Sequence, residues 1–206
     1  MHLLEDQIIP VLLYKACHHM KSNRKHWVLI IGMIIVAAMS RFIPHWHNFT
    51  AVGAMGLFGA AYLGNRYLSF LIPLVALWFS DLVLNNVVYA SFHEGFVWFT
   101  DYSIFVYLGF ILVVLVGHLM LKKISFASIF GASLVASLVF FLVSNFGSFL
   151  LDPMYPKSVI GLGSAYIAGI PFFWNSLLAN IFYSFVLIGS FELITQKLIP
   201  AYIRTR

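Results

Sequence analysis

The stretch FASIFGASLVASLVFFLVSNFGSFLL, Phe126 to Leu151, contains no charged side chain. As an α-helix it covers about 39 Å at ~1.5 Å per residue, more than the ~30 Å hydrocarbon core that about 20 residues cross. Its apolar positions do not alternate with polar ones, as they do in a membrane β-strand. The run therefore reads as a transmembrane helix. Five further apolar runs flank it: Trp27 to Ile43, a short small-residue-rich run from Ala51 to Leu63, Tyr67 to Asn86, Tyr102 to Leu121, and Phe172 to Gln196. Together they predict an all-α polytopic membrane protein with six transmembrane helices in one domain, residues 27–200. The stretch Ser158 to Pro171 is short and glycine-rich, and reads as a re-entrant or interfacial segment packed on protein.

Composition agrees. Of 206 residues 62% are hydrophobic and 9% charged, 12 Lys and Arg with 7 Asp and Glu. A soluble domain carries about 25% charged residues, so there is too little polar surface for a water-soluble globule. A soluble enzyme, a disordered chain and a nucleic-acid module are excluded. The single cysteine, Cys17, excludes an internal disulfide and a cysteine-based metal cluster.

The basic residues set an orientation. With the N-terminus cytoplasmic, Lys15, Lys21, Arg24, Lys25, Arg66, Lys122, Lys123, Lys197, Arg204 and Arg206 fall inside, and only Arg41 and Lys157 outside. This positive-inside bias places both termini in the cytoplasm. Residues 1–26 read as a cytoplasmic or interfacial segment, with Met20 as an alternative start, and residues 201–206 as a cytoplasmic tail. A cleaved signal fits less well, because the apolar run continues to Ile43.

Polar residues within spans are costly, so their depth is informative. In this topology Asp81, Asn85, Asn145, Asn175 and Asn180 fall in the outer half, with Arg41, His45 and Asn48 at its rim. They point to a substrate-binding cup open to the outside, with Arg41 as the nearest outer-side partner for Asp81. Asp81 and Asn85, four apart, share a helix face. The competing explanation is interhelical hydrogen bonding, in which asparagines hold helices together. His45 and His47, flanking Trp46, read as interfacial histidines rather than metal ligands, and no metal or cofactor is expected. Gly56, Ala60 and Gly64 form a small-xxx-small stripe. It fits close packing inside the bundle, or a docking face for a partner subunit. Ser133, Ser137, Ser144 and Ser148 form a second small stripe, explained by helix packing. Neither a G-x-S-x-G elbow nor a Walker A sequence is present, so no catalytic residue and no enzymatic activity are expected. ATP-driven transport would need a separate ATPase.

Several motifs carry a resemblance: Ser40-Arg41-Phe42-Ile43-Pro44-His45, Asn48-Phe49-Thr50-Ala51-Val52-Gly53-Ala54-Met55, Ser80-Asp81-Leu82, Asn145-Phe146-Gly147, Tyr155-Pro156-Lys157, and Ile170-Pro171-Phe172-Phe173 followed by Asn175-Ser176. Over residues 27 to 196 the chain resembles an uncharacterised family of bacterial inner-membrane proteins catalogued as transport proteins. That family is similar to the S components of energy-coupling-factor (ECF) vitamin transporters. The resemblance implies an S-component-like six-helix bundle in the bacterial inner membrane. It would capture a vitamin from outside, with cobalamin one candidate, and dock to a membrane coupling subunit with its ATPase. The chain departs from the family in carrying Trp46-His47 where prolines are usual and Asn180 where an acidic residue is usual, so no charged substrate is carried over. A reading from another class is a structural or assembly subunit of a membrane complex without its own ligand.

Overall fold

The computed structural model describes residues 26–43 and 46–198. Cys17 and His45, the segment before His26 and the tail 201–206 lie outside the described residues. Six helices and no strand occur among the described residues. They are α1 (His26–Phe42), α2 (Val52–Tyr62), α3 (Arg66–Val83), α4 (Ser103–Met120), α5 (Phe126–Leu151) and α6 (Val159–Leu198). Four are long and apolar enough to cross a membrane: α4, α5, α6, and α3 together with the π-helical turn Leu84–Val88 that extends it. The chain is an all-α membrane-embedded protein.

Local chemistry sets the helix ends. Asn65 starts α3 by accepting from the amides of Tyr67 at 2.9 Å and Leu68 at 3.4 Å, the ordinary role of an N-cap side chain. Ser125 and Ser128 bond each other's backbone amides to start α5, a capping box. At the other end of α5 the Lys157 ammonium reaches the carbonyls of Phe149 at 2.5 Å and Asp152 at 3.3 Å. A cation there meets the negative end of the helix dipole.

α5 and α6 form a long antiparallel pair. Phe126 meets Phe185, Ser133 and Ser137 meet Asn180, Phe141 meets Phe173, and Asn145 meets Gly169. The first half of α6 thus lies along the second half of α5. This corrects the reading of Ser158 to Pro171 as a re-entrant segment: it is mostly helix, continuous through Pro171 with the expected last span. The glycines that suggested irregular backbone serve close approach. A Cβ on Gly161 would strike the carbonyl of Pro156, and one on Gly169 would strike the Asn145 carboxamide.

The second expected span is too short to be one. α2 has 11 residues, about 16 Å at ~1.5 Å each. It sits in the middle of the bundle, packed against α3, α4, α5 and α6, and Ala54 through Ala60 are all buried. A helix apolar on every side belongs in a core. The turn after α1 together with α2 returns the chain to the end where it began, because His26 meets Phe191 while Tyr62 meets Phe191 and Glu192.

Small residues make this packing possible. A Cβ on Gly56 would come within 3.2 Å of Phe110 and Val113 on α4, and one on Gly59 within 2.7 Å of the Pro73 ring on α3. Gly117 faces Ala60, where an added Cβ would lie 2.6 Å away. Gly117→Val is expected to lower stability by about 1–3 kcal/mol, the usual range for overpacking. Gly32→Ala, with nothing within 4 Å of the new carbon, should leave stability unchanged or raised. Thermal unfolding of the two variants in detergent checks the contrast.

Candidate functional site

Because α2 begins only partway through the bundle, space remains beyond its first turn. That space is a cavity of about 470 Å³. Val52 and Gly53 at the start of α2 lie at one end of it, and Tyr155 brings in the turn between α5 and α6. One wall is α5, through Ser137, Phe140, Ser144, Asn145 and Ser148. The facing wall is α6, through Ala165, Ala168, Gly169, Phe172 and Ser176. Leu77, Val106 and Val113 of α3 and α4 close the apolar side.

Of the residues singled out from sequence, Arg41, Asn48, Asn145 and Asn180 line this cavity. Asn145 donates to the Phe141 carbonyl at 2.8 Å, which fixes its carboxamide beside Gly169. Asn180 is buried, donates to the Ser133 carbonyl at 3.1 Å and the Ser137 hydroxyl at 3.0 Å, and accepts from Ser184 at 3.5 Å. It therefore tethers α6 to α5 as well as edging the cavity. Asn48 takes φ 61°, a left-handed conformation that asparagine tolerates better than most residues. Its carbonyl accepts from Ser176 at 3.4 Å.

Asn175 and Asn85 do not line the cavity. Asn175 donates to the His47 carbonyl at 3.0 Å, holding the turn after α1 against α6. Tyr183, on the same face, packs its ring against Phe49 of that turn. Asn85 falls in the π-helical turn Leu84–Val88, where α-helical spacing ends, and takes no part in the Asp81 contacts. Its neighbour Asn86 bonds both the amide and the carbonyl of Val97, at 2.7 and 2.8 Å, and so ties the connection before α4 to the end of α3.

Asp81 lies behind the wall rather than in it. Its Oδ1 is 2.6 Å from Arg41 Nη1, and its Oδ2 accepts from the Tyr107 hydroxyl at 2.8 Å. The same Arg41 nitrogen donates to the Ser80 hydroxyl at 2.5 Å. A carboxylate at this depth costs a few kcal/mol unless paired. Here both of its oxygens are engaged, joining α1, α3 and α4. The side chains of Arg41 and Asp81 keep 18% and 19% of their surface, so solvent or headgroups still reach the pair.

The serine stripe of α5 does more than pack helices. Ser137, Ser144 and Ser148 line the cavity, and Ser133 is the one that does not. The Ser133 hydroxyl is buried with no hydrogen-bond partner among the described residues. The stripe shares its helix face with Asn145, and that combination was the available signal. Thr50, Tyr155 and Ser176 of the lining stand in the motifs of the resemblance but are not among the site residues expected from sequence. In the stripe of α2, Gly56 and Ala60 pack against α4 inside the chain, while Gly64 sits in an open turn. Gly56 and Ala60 are therefore internal contacts, not a docking face. Among the described residues no group of three His, Cys, Asp or Glu is placed to hold a metal ion.

Residues 21–202 match the family described as "Family of unknown function (DUF6580)". No curated protein and no solved structure matches the chain.

The ion pair yields a graded expectation. Asp81→Ala removes the counter-charge of Arg41 and should lower stability by about 1–3 kcal/mol, as for a lost hydrogen bond to a charged group. Tyr107→Phe takes one donor from the Asp81 carboxylate and leaves the ion pair with Arg41 in place, so it should cost less than Asp81→Ala. Thermal unfolding of both variants tests the order, which reverses if Asp81 contributes nothing to the fold.

Proposed function

The chain belongs to DUF6580, a family of unknown function, and from the geometry of its own residues we propose that it is a substrate-binding transport protein. It is S-component-like: it captures a small molecule, such as a vitamin, in the cavity beyond α2. The observation that carries this reading is the cavity itself. Its volume of about 470 Å³ falls in the ~300–1,000 Å³ range of small-molecule sites. Its walls combine apolar rings with a few hydroxyl and carboxamide groups, the mixture such sites use. The volume favours a ligand smaller than cobalamin.

The alternative, a structural subunit without a ligand, draws support from Asn86, Asn175 and Asn180, which do hold segments together. It leaves the cavity unexplained, since an unfilled space inside a bundle lowers stability. In the proposed setting the protein sits in a bacterial inner membrane with both termini in the cytoplasm, and the turn between α5 and α6 faces outward. Translocation would require a coupling subunit with its ATPase, or a reorientation of the bundle.

Native mass spectrometry of the purified full chain should show a small molecule bound to the wild type. Ala168→Phe places a ring in the cavity and should abolish that adduct with little loss of thermal stability. If the variant keeps the adduct, the cavity is not the site. For orientation, in a Cys17→Ser background, an impermeant maleimide added to intact cells should label Met154→Cys. It should label Lys122→Cys only after permeabilisation. The opposite pattern would invert the topology.

A further inference from the structure

We infer that the ligand of this cavity is an uncharged molecule carrying an amide or carbonyl group on an apolar ring, and that the site discriminates against its charged counterparts. The inference rests on the cavity being a binding site as proposed above. Among the described residues that line it, Arg41 alone is charged at neutral pH. That charge is already balanced, because Arg41 Nη1 lies 2.6 Å from Asp81 Oδ1 and the other Asp81 oxygen is held by Tyr107. The cavity and its immediate support are therefore electrically neutral.

What the lining offers instead is neutral hydrogen bonding. Thr50, Asn48 and Tyr155 make no side-chain hydrogen bond to another described residue, and Asn145 uses one N–H on Phe141, leaving its second N–H and its carbonyl oxygen. These groups match an amide, which both donates and accepts. Phe140, Phe172, Leu77, Val106 and Val113 supply apolar surface for a ring. A net charge brought in here has no unmatched opposite charge to meet, and an unpaired charge at low dielectric is the most unfavourable group to bury. The N-terminus of α2 at the edge of the cavity adds roughly half a positive charge at most. That suits the partial charge of a ligand carbonyl and falls short of neutralising a full anion.

Matched pairs test this without knowledge of the natural ligand. The detergent-solubilised full chain is heated with nicotinamide or nicotinate, with benzamide or benzoate, and with benzylamine as the cation. Each amide should raise the unfolding midpoint in a concentration-dependent way, as a ligand of the folded state must, and the charged compounds should not. In Asp81→Asn the Arg41 charge is unbalanced, and benzoate and nicotinate should bind about tenfold or more tighter than to the wild type. If a charged member stabilises the wild type as well as its amide does, the inference is overturned and the cavity still stands as a site. If no compound stabilises the wild type, the inference is overturned and the mass-spectrometric adduct alone decides the cavity; if the amides stabilise Ala168→Phe equally, the cavity reading itself falls. Should Asp81→Asn fail to fold, the wild-type pairs decide alone.

Discussion

An eleven-residue helix cannot cross a bilayer, and the arrangement of this protein follows from where α2 is placed instead. About 16 Å of helix fills only part of the bundle's depth. Where α2 is present, the surrounding helices close on it through Gly56, Gly59, Ala60 and Gly117. Lipid tails are as apolar as leucine, so association there depends on close contact, and small residues permit it. Beyond the first turn of α2 no helix fills the space between α5 and α6 on one side and α3 and α4 on the other, and that space is the cavity. A single length constraint thus produces both the close packing around α2 and the cavity beyond it.

Polar groups at this depth are arranged so that few are left alone. Arg41, Asp81, Ser80 and Tyr107 satisfy one another across three helices. Asn180 is matched by the Ser133 carbonyl and the Ser137 hydroxyl. Toward the other end, Tyr62 donates to Glu192 at 2.7 Å, and Ser69 lies 2.7 Å from the His118 ring nitrogen. In a medium without water each such pair removes a large desolvation penalty while contributing modestly in net terms. Against that background, the cavity-facing groups stand out: the side chains of Thr50 and Tyr155 make no hydrogen bond to another described residue, and Asn145 uses one N–H only, on Phe141.

Much of this was legible from the residues, and the failures have identifiable causes. Phe126 to Leu151 needed only its length and lack of charge. The Arg41–Asp81 pair followed from the cost of a buried carboxylate and the scarcity of cations at that level. The first half of α6 was missed because Gly161, Gly163, Gly169 and Pro171 depress helix propensity. Propensity lost to tertiary contact there: Gly161 and Gly169 are small because Pro156 and Asn145 lie against them. From sequence the α5 serines read as packing residues, because small residues serve packing and site-lining alike. Which role each plays depends on whether α2 reaches their level, a fact of depth that periodicity does not encode.

That same depth bears on how a captured molecule would move. At the start of α2 the cavity meets Val52 and Gly53. Further along the helix Met55, Leu57 and Phe58 are fully buried. The polar pairs Tyr62–Glu192 and Ser69–His118 lie on the far side of that apolar layer and are already mutually satisfied. Polar steps therefore do not continue along α2 from the cavity, and a bound molecule would have to displace tightly packed aromatic and aliphatic side chains. Interiors packed around glycines do not deform gradually, because each close approach is lost as a unit. Passage by way of this cavity thus calls for rigid movement of the bundle or of the helices around α2, rather than diffusion through a fixed pore.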